Sequence, residues 1–124
     1  MTETGRVTFT IPGPPVSKQR PRRAPAGHFY TPQKTVEYEL AVAGYAMAAG
    51  VKLQAKTRYA LGVDLYLSTF RRDRDNIVKC IQDGLQRLGD GWDDSQVCDL
   101  VVRTVSVRSA AEEKAVVTIE KRAP

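Results

Sequence analysis

Soft metal ligands are scarce in this 124-residue chain: two cysteines, Cys80 and Cys98, and one histidine, His28. The cysteines form no CxxC and His28 is the only histidine, so a cysteine-built zinc site is unsupported. Both read as small buried apolar residues. A chain of this length buries roughly two-thirds of the surface it exposes when unfolded, so it needs no disulfide or structural metal to fold. Long apolar runs are missing too. None approaches the roughly 20 residues of a membrane span. The opening MTETGRVTFT lacks the charged-then-apolar layout of a signal peptide, and the expectation is a cytoplasmic protein. Hydrophobic residues still make up 42% of the chain, which argues against disorder.

Acid is absent from one long stretch. Residues 4–36 hold Arg6, Lys18, Arg20, Arg22, Arg23 and Lys34 and no Asp or Glu, a charge of +6. The remainder holds 13 basic and 14 acidic residues, a charge of −1, so the net +5 is entirely N-terminal. A basic block of this kind is either a phosphate-binding footprint or a solvated loop.

Residues 6–11, RVTFTI, alternate and are β-branched, which predicts a strand ended by Pro12-Gly13-Pro14-Pro15. The loop VSKQRPRRAPAGHFYTP follows. Its Pro21, Pro25 and Gly27 read as forbidding regular structure, and its basic residues have no partner nearby in sequence. His28, Phe29 and Tyr30 close it, either to stack on nucleic acid or to pin the loop to the core. Thr31 or Thr35 is the candidate cap of a helix over Lys34–Ala49, with Val36, Leu40, Ala43 and Met47 as its apolar stripe and Gly50 as its stop. Residues 58–69 alternate again and predict a central strand, with Leu61, Val63, Leu65 and Leu67 on one face. A second helix runs from Asp75-Asn76 to about Leu88 on the stripe Ile77, Ile81, Leu85 and Leu88. Asp75, Lys79 and Asp83 lie about 200° away from that stripe. Cys98–Val107 and Ala115–Glu120 complete the set as two strands, read as a hairpin. The expectation is one α/β (α+β) domain over 1–124, a mixed sheet with two main helices in the order β-α-β-α-β-β.

The chemistry concentrates in residues 71–99, RRDRDNIVKCIQDGLQRLGDGWDDSQVCD, which hold seven of the fourteen acids. Four form the tight pairs Asp73/Asp75 and Asp93/Asp94. Gathered carboxylates repel, and a fold that collects them needs a cation to offset the cost. Asp73, Asp75 and Asp94 are candidate ligands of an open Mg²⁺ site, and Lys79 is a candidate partner for charge developing on a phosphate. Arg71, Arg72 and Arg74 are candidates to grip flanking phosphates, with Lys18, Arg20, Arg22 and Arg23 of the basic loop. A purely structural account stands beside this one. Asp73 or Asp75 would cap the helix, Asp75–Lys79 would be an ordinary i,i+4 pair, and Asp93-Asp94 would make a turn. An EF-hand is excluded, because counting from Asp73 the fifth position is Ile77 and the twelfth is Gly84.

The run Asp73-Arg74-Asp75-Asn76-x-x-Lys79, then Asp83-Gly84-Leu85, then Trp92-Asp93-Asp94-Ser95-Gln96-Val97 resembles the signature of RusA-type Holliday junction resolvases. The likeness extends to the early strand ending in Pro14-Pro15, the basic loop and Phe29-Tyr30-Thr31-Pro32. It implies a small, homodimeric, Mg²⁺-dependent endonuclease, bacterial or phage-encoded, that cuts four-way DNA junctions symmetrically, with Mn²⁺ as a close substitute for the metal. The family's catalytic acids fall on Asp73, Asp75 and Asp94, its essential lysine on Lys79, and Asp93 is the adjacent, accessory acid. Gly84 stands where alanine is usual. Two other readings remain: a non-catalytic module that binds branched DNA, and a metal nuclease acting on flaps or forks.

Overall fold

The computed structural model describes residues 5–18, 22–30, 32–69, 73–88 and 92–122. Among the described residues, six strands and two α-helices follow one another. They are β1 (Arg6–Pro12), β2 (Arg22–Arg23), β3 (Phe29–Tyr30), α1 (Gln33–Ala48), β4 (Arg58–Leu67), α2 (Arg74–Gln86), β5 (Val97–Ser106) and β6 (Lys114–Arg122). Four of the strands form one mixed sheet in the order β1-β6-β4-β5. β6 runs antiparallel to both β1 and β4, whereas β4 and β5 are parallel.

Alternation decides which face of the sheet is covered. Val7, Phe9 and Ile11 of β1, Tyr59 to Leu67 at every second position of β4, and Ala115, Val117 and Ile119 of β6 are all buried. They form one core with Tyr38, Val42 and Ala46 of α1 and Ile77, Val78, Cys80, Ile81 and Leu85 of α2. The opposite face carries Arg6, Thr8, Gly62, Asp64, Thr118 and Glu120 and is open. Among the described residues, no helix is long and apolar enough to cross a membrane.

Several expectations need correction. β5 and β6 are not a hairpin. They lie on opposite sides of β4, because the β4–α2–β5 crossover delivers β5 parallel to β4 and leaves the antiparallel position to β6. The stripe of α1 is also displaced. Thr35, Tyr38, Glu39, Val42 and Ala46 are buried, while Leu40 and Met47 are 54% and 66% exposed. Apolar residues are spread around this helix, so hydrophobicity alone selects no face. The inward face is set by the close approach of α2 and by two cations that claim Glu39. No side chain caps α1: Pro32 holds the cap position and Thr35 sits inside the helix. Thr31 lies outside the described residues. Gly50 does end the helix, at φ 87°, with Val51 N–H returning to Ala46 O at 3.0 Å.

The basic loop has regular structure after all. Arg22-Arg23 pair antiparallel with Phe29-Tyr30, closed by Ala24 N–H to His28 O at 2.7 Å and by Gly27 at φ 95°. Cys80 is buried as expected, and burial pushes its thiol up to about 12. Cys98 is exposed, because β5 is an edge strand that neither helix reaches.

Candidate active site

α2 begins where β4 has delivered the chain, and its start is fixed by Asp73. The Asp73 carboxylate accepts from the Asn76 backbone N–H at 3.2 Å and from Asn76 Nδ2 at 2.7 Å. Asp73 is therefore the N-cap, and Asn76 of the DxDN run holds it from two sides. Asp75, in the first turn, is exposed, and among the described residues no hydrogen bond or ion pair engages its carboxylate. The positive end of the helix favours an acid at this place.

One turn on, Lys79 projects from the same side. Its Nζ lies 3.3 Å from Asp94 Oδ2 and 3.5 Å from Asp83 Oδ1. Asp83 and then Asp94 hold the ammonium above its ordinary value of 10.5, so Lys79 is fully charged at neutral pH. The contact with Asp94 spans fifteen residues and brings the second acid pair onto α2. The loop presenting Asp94 is tightly built. Asp93 accepts from Ser95 N–H and Oγ, and its own N–H donates to Gln96 Oε1 at 3.0 Å, a capping box over the single 3-10 turn Asp94–Gln96. Hydrogen bonding with the Asp94 side chain, then with Ser95, holds the Asp93 carboxyl below the usual range. Gln96 Nε2 donates to Gln54 O and Thr57 O, both at 2.8 Å, and so anchors the turn to the segment before β4. The glutamine of the DDxQ run is thus a clamp, and Asp94 is the acid it presents.

Behind this face runs a chain of ion pairs. Lys18 Nζ meets Asp83 Oδ2 at 3.0 Å and Glu39 Oε2 at 2.8 Å, and Arg87 Nε meets Glu39 Oε1 at 2.9 Å. Lys18 N–H also donates to Asn76 O at 2.8 Å. Burial alone would lower the Lys18 pKa, but hydrogen bonds to Glu39 and Asp83 outweigh it and raise it. Lys18, a candidate for DNA phosphates with no partner nearby in sequence, pairs with Glu39 of α1 and Asp83 of α2 and ties the two helices together. Glu39 and Arg87 were missed by the sequence reading. A glutamate inside an Ala-rich helix gives no sign of burial until the fold supplies its two cations. Glu113 was missed likewise: it is buried and accepts from Ser68 N–H and Oγ just past the end of β4.

Of the remaining predicted residues, Arg23 is exposed, and Arg74 donates to Thr104 Oγ1 at 3.3 Å. Arg20, Arg71 and Arg72 lie outside the described residues, as does the side chain of Arg22.

The donor set around Lys79 is carboxylate only, which suits a hard divalent cation rather than zinc. Among the described residues, no three His, Cys, Asp or Glu side chains converge closely enough to hold a metal ion. Mg²⁺ needs only one or two carboxylates and takes its other ligands from water and phosphate. The residues present fit such a group: no described residue engages Asp75, and Asp94 is held by a cation that can be exchanged. A depression of about 420 Å³ lies on the open face of the sheet among Arg6, Asp64, Arg103, Glu120 and Arg122, away from these acids and with its charges largely paired to one another.

A family model described as endodeoxyribonuclease RusA matches residues 12–120. Among curated proteins no relative matches the chain.

Proposed function

Because the chain belongs to the RusA family of Holliday-junction-resolving endodeoxyribonucleases, we propose that it cuts four-way DNA junctions by paired, symmetric, Mg²⁺-dependent hydrolysis at the face of α2. The observation that carries this reading is the contact of Lys79 with Asp94, one turn from the Asp75 carboxylate, which no described residue engages. In this reading Asp73, Asp75 and Asp94 would hold the ion, one or two of them directly and the rest through its water ligands. When bound, it supplies activation of the attacking water and stabilisation of the leaving oxygen.

The chain's own groups do the rest. Asn76 and the helix start orient Asp73, and the Asp93–Gln96 box holds Asp94 towards α2. Lys79, charged at neutral pH, offsets the negative charge that grows on the phosphate in the transition state. Asp93 shapes the turn. Arg20, Arg22, Arg23, Arg71, Arg72 and Arg74 bind flanking phosphates and fix the register of the DNA. A junction has near two-fold symmetry, so paired cuts call for a homodimer with a matching axis.

The test sets a labelled synthetic junction beside a linear duplex of the same sequence, with Mg²⁺ and with chelator, for wild type and Asp75→Asn. Paired nicks in the junction alone, dependent on Mg²⁺ and absent in the variant while junction binding persists, are expected. Binding without a cut in either DNA overturns the catalytic reading. Equal cutting of both overturns junction selectivity, and flap or fork substrates then identify the preferred branch.

A further inference from the structure

Lys79 has an acid on either side of it in α2, Asp75 four residues before and Asp83 four residues after. The two are not equal on a bare helix. An acid four residues before a lysine makes the stronger pair, so α2 alone would set Lys79 on Asp75. The fold does the opposite. Lys79 Nζ lies 3.5 Å from Asp83 Oδ1 and 3.3 Å from Asp94 Oδ2, and no ion pair joins it to Asp75. What stands behind Asp83 reverses the preference. Its other oxygen, Oδ2, is held at 3.0 Å by Lys18, Lys18 is held at 2.8 Å by Glu39, and Arg87 holds Glu39 in turn. The acids of this chain of charges open outwards: the side chain of Glu39 is 5% exposed, that of Asp83 16% and that of Asp94 33%. Asp83 is thus the fixed partner of Lys79, and Asp94 the one that can change. The two are also carried differently. Asp83 shares a helix with Lys79, so one backbone sets their spacing. Asp94 comes from the turn beyond α2, and its carboxylate can rotate without disturbing that helix.

We propose that Asp83 is a positioning residue for the reaction: it draws Lys79 off Asp75 and retains it when Asp94 turns from the ammonium to the metal ion. This deepens the function put forward above and rests on it. Without Asp83, the ammonium is left to Asp75 and Asp94 and occupies the carboxylates that the ion needs. With Asp83, it stands beside them, one turn from Asp75, where it meets the phosphate rather than the ligands. The charge is then neither lost to solvent when the ion arrives nor locked onto the acids before it does. The ion pairs from Arg87 through Glu39 and Lys18 serve the same end, since they fix the carboxylate on which Lys79 rests.

The experiment titrates Mn²⁺ alone into the full chain, without DNA, and reads the free ion from its electron paramagnetic resonance signal. Wild type, Asp83→Asn, Lys79→Met and Asp83→Asn/Lys79→Met form a double-mutant cycle, with Asp75→Asn as the control for the site. Asp83→Asn weakens Mn²⁺ binding about tenfold in the wild-type background and less than about threefold in the Lys79→Met background, where only the loss of a nearby negative charge remains. Equal weakening in both backgrounds shows Asp83 acting by its own charge or through helix packing, and overturns the proposal. No weakening in either background overturns it as well. Asp83→Glu keeps a carboxylate four residues after Lys79, and holds Mn²⁺ affinity and kcat on junction DNA within about threefold of wild type. A fall of about tenfold in both for Asp83→Glu overturns the proposal, even where Asp83→Asn does not fold. Failure of the underlying reading looks different. A wild type that takes up no Mn²⁺ at millimolar concentration, or takes it up regardless of Asp75→Asn, overturns the metal site and the proposal with it. Mn²⁺ binding that is lost in Asp75→Asn but indifferent to Asp83→Asn overturns the proposal alone.

Discussion

Replacing Gly84 by alanine should destabilise this protein, although helix propensity and the RusA-type motif both favour alanine there. Gly84 is buried in α2 against α1. A Cβ at this position would stand 2.7 Å from Val42 Cβ, 2.8 Å from Glu39 O and 2.9 Å from Val42 Cγ1. Comfortable carbon contacts are about 3.5–4.0 Å. Two of the three obstacles are a main-chain oxygen and a Cβ, which no rotamer change can move, so the helices must separate. Propensity gains about 1 kcal/mol. Overpacking costs about 1–3 kcal/mol, and rigid neighbours put this site at the upper end. The net loss is about 1–2 kcal/mol, a fall in Tm of roughly 3–8 °C for a domain of this size. Thermal and urea unfolding of Gly84→Ala beside Gly44→Ala test this. Gly44 lies in α1 with nothing within 4 Å of its would-be Cβ, so there the same change should stabilise by up to about 1 kcal/mol. A Gly84→Ala protein as stable as wild type, at unchanged m-value, would refute the close approach of the two helices.

Lys79→Met should cut cleavage by about 10²–10³-fold while changing stability by no more than about 1 kcal/mol, because its ion pairs are half exposed. Steady-state cleavage and melting together check it. Glu39→Gln should cost about 1–3 kcal/mol in urea unfolding, since it strips the buried acid from both Lys18 and Arg87. The pKa values of Lys18 and Lys79 are raised above 10.5 in the fold, so their contribution is complete below pH 10.5 and is lost as pH climbs through the folded values. Alkaline unfolding curves should show that loss diminished in Lys79→Met. The triple change of Arg20, Arg22 and Arg23 to Ala should flatten the salt dependence of junction binding by up to about 2.7 in the log–log slope.

Strand alternation was legible wherever one face of the sheet is covered. Leu61 to Leu67 declared the inward face of β4, and the Ile77–Leu85 stripe declared that of α2. The acid runs, Lys79 and the DDxQ turn were legible because their spacing is local. What stayed hidden depends on neighbours distant in sequence. The stripe of α1 is decided by Lys18, Arg87 and Gly84, none of which lies on that helix. The neighbours of β6 are decided by the β4–α2–β5 crossover, which sets β5 parallel to one side of β4 and leaves the other side to β6. The exposure of Cys98 follows from a helix layer that ends one strand early. The bonding of Asp93 with Gln96 was present as a spacing, but only the folded turn distinguishes the acid that caps from the acid that is presented.

The position of β6 has a consequence for how the protein comes into being. Residues 114–122 are made after every other described element, yet they lie between β1 and β4. Until they emerge, β1 has no neighbour in the sheet, and the helices lack Ala115, Val117 and Ile119 as core. A nascent chain can hold the β4–α2–β5 unit but cannot close the layer that steadies it, and most of its pairings are long-range, which slows folding. The proposed site on α2 therefore gains its full backing sheet only after residues 114–122 have emerged, at the very end of synthesis of the described elements.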